Sequence, residues 1–199
     1  MKAIFEIKDK EVIDEVLNSA EYGTLAICSE NMPYSVPVNF AKIDKTIYFH
    51  GSKNGKKMEI LRKNPLASFS VVESCSLIPS YFSSNDNLAC PATQFFKSIT
   101  MEGKVEFVDD YDEKVAALGV LMKKLQKEGR YKPFDEDVYT KAIDATTIYK
   151  LIPKTTRAKF KLGQHLNKKR FDMIIQNLEK RGDAKDISTI KLMKKFRKD

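Results

Sequence analysis

From Tyr34 the chain alternates: Tyr34, Val36, Val38 and Phe40 fall on one face, and Ser35, Pro37, Asn39 and Ala41 on the other. A period of two belongs to a strand, with the apolar face toward a core and a small, polar face left over. Pro37 lacks an amide donor, which argues for a sheet edge, a bulge or a strand end. Asp44 and Lys45 mark a tight turn into a second strand, Thr46 to His50, with Tyr48 and His50 on one face and Ile47 and Phe49 on the other. Further strands are expected near residues 23–29, 67–73, 96–108 and 146–152. Residues 74–93 read as loop with a short strand near Leu77 to Phe82. Helical spacing predicts a helix from Asp9 to about Ala20 that buries Val12, Ile13, Val16 and Leu17. A second helix is expected from Tyr111 to Lys127 with Val115, Leu118, Met122 and Leu125 inward, and a shorter one over 135–143. Near the end, Phe171, Ile174, Ile175 and Leu178 form a stripe, and Ile187, Ile190, Met193 and Phe196 continue at similar spacing. The pattern is that of a mainly β protein, an antiparallel β-barrel with peripheral helices. Residues 1–162 read as the barrel domain and 163–199 as a helical extension packed on it.

Chemistry concentrates after the second strand. Gly51, Ser52, Asn54 and Gly55 tolerate backbone conformations that gather amides into a nest, and Lys56 and Lys57 open a short helix on which Met58 and Leu61 share a face. Asn64 and Pro65 stop that helix. Such a turn can hold an anion, because helix-start amides point outward and the lysines add full positive charge. It is not a P-loop: the second glycine comes one residue early, and Lys57 stands where a magnesium-binding Ser or Thr belongs. One phosphate suits it better than a triphosphate. Taken alone, the same seven residues also describe a solvated loop with lysines in water.

Composition changes this picture little. Of 199 residues, 42% are hydrophobic and 31% charged, ordinary for a globular chain long enough to need no disulfide or metal staple. No apolar run reaches the ~20 residues of a membrane span. The start, MKAIFEIKDKEV, has no signal-peptide core, so a cytoplasmic protein without a membrane association is expected. Three cysteines, Cys28, Cys75 and Cys90, have no framework spacing. Cys28 is expected as a small buried hydrophobe, and all three as reduced thiols. No Cys/His cluster proposes a metal. Charge is uneven. The net is +8, but residues 153–199 hold 15 Lys/Arg against 5 Asp/Glu and the remainder 20 against 22. A basic tail can bind nucleic acid. Here the lysines flank apolar helix positions rather than exposed aromatics, which argues against that partner and for a solvated helical face.

The whole order of motifs is more specific than any one of them. YGTLAICSENMPYSVPVNFAKIDKTIYFHGSKNGKKMEILRKNPLASFSVV resembles the pyridoxamine-phosphate-oxidase-like family of FMN-binding split barrels, most closely the branch with nitroimidazole reductases and general flavin-nucleotide-binding proteins. CPATQFFKSITMEGKVEFVDD is similar to that family's later strand, and RAKFKLGQHLNKKRFDMIIQNLEKRG to its tail. Departures are Phe96 for the usual Tyr, Lys97 for Arg, Thr100 at an apolar position and Gly163 for Ser. The closing Arg-x-His of a true pyridoxamine-phosphate oxidase is missing, and Leu162, Gly163 and Gln164 occupy the late segment.

The resemblance implies a split barrel that dimerises and binds FMN between subunits. Pro37, Val38, Asn39 and Phe40 match the strand beneath the flavin ring. His50, Gly51 and Ser52 match the strand end and turn beside the ribityl phosphate, and Lys56 and Lys57 its basic clamp. Ser98 matches a polar position that reaches the flavin from the partner subunit, and Lys159 and Gln164 belong to the tail motif. His50 is the histidine near the proposed site, hence the candidate proton donor or substrate contact. The implied activity is an FMN-dependent oxidoreductase passing electrons, with NAD(P)H as donor, to a small nitroaromatic, quinone or flavin acceptor. A non-catalytic flavin- or haem-binding module and an FMN-linked regulator using the basic tail are the alternatives.

Overall fold

The computed structural model describes residues 1–86 and 88–197. Among these, eight strands form one antiparallel sheet: β1 (Glu6–Ile7), β2 (Gly23–Ser29), β3 (Met32–Val38), β4 (Ala41–Ile43), β5 (Thr46–Gly51), β6 (Leu66–Ile78), β7 (Thr93–Val108) and β8 (Thr147–Lys161). The order is β3-β2-β6-β7-β8-β5-β4, and β1 pairs with β8. The helices are α1 (Lys10–Ser19), α2 (Lys56–Lys63), α3 (Tyr111–Leu125), α4 (Thr140–Ala145), α5 (Lys168–Arg181) and α6 (Ala184–Phe196). This is the expected split barrel with helices. The chain divides into two compact units, and the long strands β6, β7 and β8 each contribute residues to both.

The strand-rich unit holds residues 14–71 and 99–157. Its β2–β3 hairpin turns through Glu30 and Asn31, both at positive φ (53° and 63°), which matches the right-handed strand twist. β3 ends the sheet order, so Pro37 sits on an edge strand, where its missing donor is tolerated. The alternation holds through Val38 and then breaks. The chain leaves β3 at Asn39 and starts β4 at Ala41, so Phe40 and Ala41 are both fully buried. Ala41, expected on the polar face, therefore packs inside. Gly23 and Gly103 are packing glycines: an added Cβ would stand 2.1 Å from the Phe69 ring at Gly23, and 2.1 Å from the Ile152 carbonyl at Gly103.

Helix α3 corrects the sequence pattern. Its buried residues are Ala117 and Leu121, not the Val115–Leu118–Met122–Leu125 stripe, and Leu125 is exposed. The same face carries Lys124. Its stem continues the i, i+4, i+7 row, and its ammonium donates to the Leu17 carbonyl (2.8 Å) and lies 3.5 Å from the Phe40 ring centre. A lysine on the inward stripe is what displaced the expected face by one position. Over 135–143 the structure has a 3-10 turn at Asp137–Tyr139 followed by α4, which buries Ile143.

The other unit holds residues 1–13, 72–98 and the chain from Ala158 onward. In it β6 runs on to Ile78, through the stretch expected to be loop, and Ser80–Phe82 form a 3-10 turn. β8 likewise runs to Lys161 rather than stopping at 152, and Ala158 and Lys159 pair with Ile7 and Glu6. α5 and α6 form a hairpin closed by Gly182 at φ 74°. Phe171, Ile174 and Leu178 are buried, as are Ile190 and Met193, and Phe196 meets Phe160 edge-on at 5.1 Å. Ile187, expected inward, is exposed. A polar clamp ties α6 to β6. Asp186, buried, accepts from both Arg181 Nε and Nη2 (2.6 Å each) and from Ser76 Oγ (2.5 Å), and Thr189 Oγ1 accepts from the Ser76 amide (3.0 Å). The cysteines are free. Cys28 is half-buried rather than buried, Cys75 is buried in β6, and Cys90 is exposed. Among the described residues no helix is long and apolar enough to cross a membrane.

Candidate functional site

The turn between β5 and α2 is built from the sheet outward. Phe49 is buried and stacks on its cross-strand partner Tyr149, ring centres 5.1 Å apart at 7°. The Tyr149 hydroxyl donates to the Ser52 carbonyl (3.5 Å), and Ser52 Oγ accepts from the Asn54 amide (3.2 Å). Gly55 then stands at φ 137°, ψ 163°, a conformation closed to residues with a Cβ, and caps α2 without any side chain. The first helical bond runs from the Glu59 amide to the Gly55 carbonyl. The earlier amides of the helix have no partner within it and are open to an anion. Met58, Ile60 and Leu61 are buried and fix this short helix to the sheet.

The two lysines sit differently. Lys57 folds back. Its ammonium donates to the His50 carbonyl (3.3 Å) and lies 5.0 Å from the Tyr149 ring centre and 5.4 Å from that of Phe49. Gly51 makes this possible, because a Cβ there would stand 2.7 Å from Lys57 Nζ. Partial burial pushes the Lys57 pKa down, and burial together with the charge of Lys57 pushes His50 down. Lys56 is exposed, its ammonium 4.8 Å over the Tyr34 ring. Among the described residues neither lysine pairs with a carboxylate, whereas Lys42, Lys63 and Lys150 of the same unit do. Two lysines at a helix start, neither with a carboxylate partner among the described residues, have the chemistry to hold a phosphate-sized dianion.

Of the strand expected beneath a flavin, Pro37 and Asn39 are exposed while Val38 and Phe40 are core. Phe40 packs edge-on against Phe69 at 4.9 Å, and the Asn39 amide donates to the Glu21 carbonyl at 3.0 Å. This places Val38 and Phe40 behind the surface, leaving their backbone and their neighbours to meet a ligand. Ser98, Lys159 and Gln164 lie in the other unit. Ser98 Oγ donates to the Lys159 carbonyl (3.4 Å), and the Lys159 ammonium lies over Phe96 (5.4 Å) and Phe5 (5.9 Å). Gln164 is buried with both ends engaged. Its Nε2 donates to the Phe160 carbonyl (2.9 Å) and its Oε1 accepts from the Leu162 amide (2.8 Å), so it staples its own turn. Tyr149 and Tyr34, over whose rings the lysines lie, were not among the site residues expected from sequence. Tyr149 reaches the turn only through the β5–β8 pairing, 100 residues downstream of Phe49.

The family model for pyridoxamine 5'-phosphate oxidase matches residues 9–160, and the chain belongs to that family. No curated protein matches in sequence. Among solved structures the chain is similar to a candidate 5-nitroimidazole antibiotic resistance protein from Bacteroides thetaiotaomicron, with 25% identity, TM-score 0.64, and coverage of 77% of this chain and 85% of that one. It is also similar in fold to a flavocytochrome from Azotobacter vinelandii (21% identity, TM-score 0.64, 79% and 69% covered). A third is the FAD and haem binding protein from Mycobacterium smegmatis (19%, 0.62, 78% and 72%).

Proposed function

We propose that the chain is an FMN-binding oxidoreductase whose phosphate site is the β5–α2 turn. The observation that carries this is the acid-free pair Lys56 and Lys57 beside the amides that follow Gly55. Family membership and solved proteins of this fold named for FAD, for haem or as a flavocytochrome support it. Lys57, preset against Tyr149 by the space at Gly51, and the exposed Lys56 bind the phosphate. The exposed side of β3, with Pro37 and Asn39, orients the ring, and the packed Val38 and Phe40 keep that surface rigid. Burial and the charge of Lys57 favour the neutral ring of His50, whose N–H is the candidate proton for the acceptor. Bound FMN would supply the electron transfer from NAD(P)H to a small nitroaromatic, quinone or flavin acceptor.

The site is completed in a homodimer, with Ser98 and Lys159 of the second copy as the other wall and Gln164 holding their segment in shape. An isologous pair builds the site twice. The exposed Leu66, Val72 and Met32 on sheet strands support such a contact. One experiment tests both halves: absorbance recorded across the light-scattering peak of the purified protein supplied with FMN. We expect flavin bands that bleach with NAD(P)H, carried by twice the 22.8 kDa chain mass. A protein that takes up no FMN overturns the flavin reading, a Soret band alone replaces it with haem, and flavin on a single-chain mass overturns the shared site.

A further inference from the structure

The unit that carries the tail has a second cationic pocket, separate in its residues from the turn at Gly51–Lys57. We infer that this cavity, formed by the start of β7, the end of β8 and the first turns of α5, binds a small organic anion: a carboxylate or phosphate ester with an apolar body. The cavity measures about 550 Å³, within the size of small-molecule sites and far larger than one inorganic ion. Leu166, half-buried, gives it apolar surface with Phe95 and Ile174 packed behind, Lys161 and Arg170 give it charge, and the His165 ring stands beside them.

Those cations are held in place by neutral groups. The Lys161 ammonium bonds Thr93 Oγ1, Arg170 Nε donates to the Ser83 carbonyl (3.1 Å), and Arg170 Nη2 donates to Ser83 Oγ (3.2 Å). Among the described residues none of Lys161, His165 and Arg170 has a carboxylate partner, and burial together with the positive charges of Lys161, Lys2 and Arg170 pushes the His165 pKa down, toward the neutral ring. Elsewhere in this unit comparable cations are neutralised: Lys97 by Glu73, and Arg181 by Asp186. A merely solvated basic surface would leave such side chains extended in water. Here Lys161 and Arg170 are half-buried and already oriented, and a guanidinium with two of its five N–H groups engaged keeps three for a ligand. An anion would supply the missing negative charge, and an apolar body would cover the half-buried Leu166.

Cys90 lines the cavity and is exposed, so its thiol reports occupancy without reference to any activity. Alkylation of Cys90 by iodoacetamide is followed by peptide mass, which separates it from Cys28 and Cys75, with phenyl phosphate, benzoate or inorganic phosphate present. A probe at about four times its Kd slows labelling about fivefold. We expect that protection from phenyl phosphate or benzoate, the stronger of the two giving the headgroup class, and less from inorganic phosphate. Lys161→Gln, Arg170→Gln and the milder His165→Asn should each reduce it, while Lys56→Ala with Lys57→Ala leaves it intact and so separates this pocket from the flavin site. Protection by none of the three probes overturns the inference. So does equal protection in the folded His165→Asn and Lys161→Gln variants, or protection by inorganic phosphate as strong as by phenyl phosphate.

Discussion

Lys124 and Lys57 show how much a single half-buried ammonium changes. Both lose hydration to the fold, and both recover part of it from a backbone carbonyl and an aromatic face. For Lys124 burial lowers the pKa from 10.5 to about 8. Between those values the unfolded chain holds a proton that the folded chain has released, so stability rises with pH across the window. Its contribution is full above 10.5 and is lost as pH falls through about 8. Urea midpoints of wild type and Lys124→Met from pH 7.5 to 10.5 check this: we expect the difference between them to shrink or reverse in favour of wild type as pH rises. A constant difference contradicts a buried, titrating Lys124. At Gly51 the same crowding bears on the proposed phosphate site. Gly51→Ala places a Cβ 2.7 Å from Lys57 Nζ and should dislodge that ammonium. We expect FMN affinity to fall about tenfold, ~1.4 kcal/mol, in a fluorescence titration, with the melting point little changed.

The elements carried by local alternation were legible in the chain, and those carried by distant partners were not. β2, β3 and β5 followed their period of two because each packs one face on the core. The far half of β6 was hidden because Ser76 points inward, and its polarity is matched only by Asp186 and Thr189, 110 residues or more downstream. The α3 stripe was hidden because Lys124 occupies it. The β5–α2 turn proposed as the phosphate site could be read locally from its glycines and lysines. Its aromatic bed could not, since Tyr149 arrives through strand pairing. The Asp186 clamp sets the strength of the tail hairpin. Asp186→Ala leaves Arg181 with Asp183 and the Leu77 carbonyl, and Ser76 with Thr189, but removes the charge-assisted contacts that join them, and should cost roughly 1.5–3 kcal/mol. A denaturant midpoint shifted by much less, with the α5–α6 amides still protected from exchange, would show that the clamp contributes little.

At the scale of the whole molecule, the family's fold supplies a sheet, an edge strand with a small polar face and a basic turn, and the account rests on what that turn binds. Riboflavin and FMN differ only in the phosphate, so the pair isolates that contact from ring stacking. The deciding measurement is the affinity of both flavins for wild type and for Lys56→Ala with Lys57→Ala. Two charge-assisted contacts of roughly 1.5–3 kcal/mol each correspond to a preference of about a hundredfold or more. We expect wild type to favour FMN over riboflavin by that factor and the double variant to bind both alike, at the level wild type shows for riboflavin. Equal affinity of wild type for the two flavins, or an undiminished preference in the double variant, would contradict a phosphate site at Lys56 and Lys57.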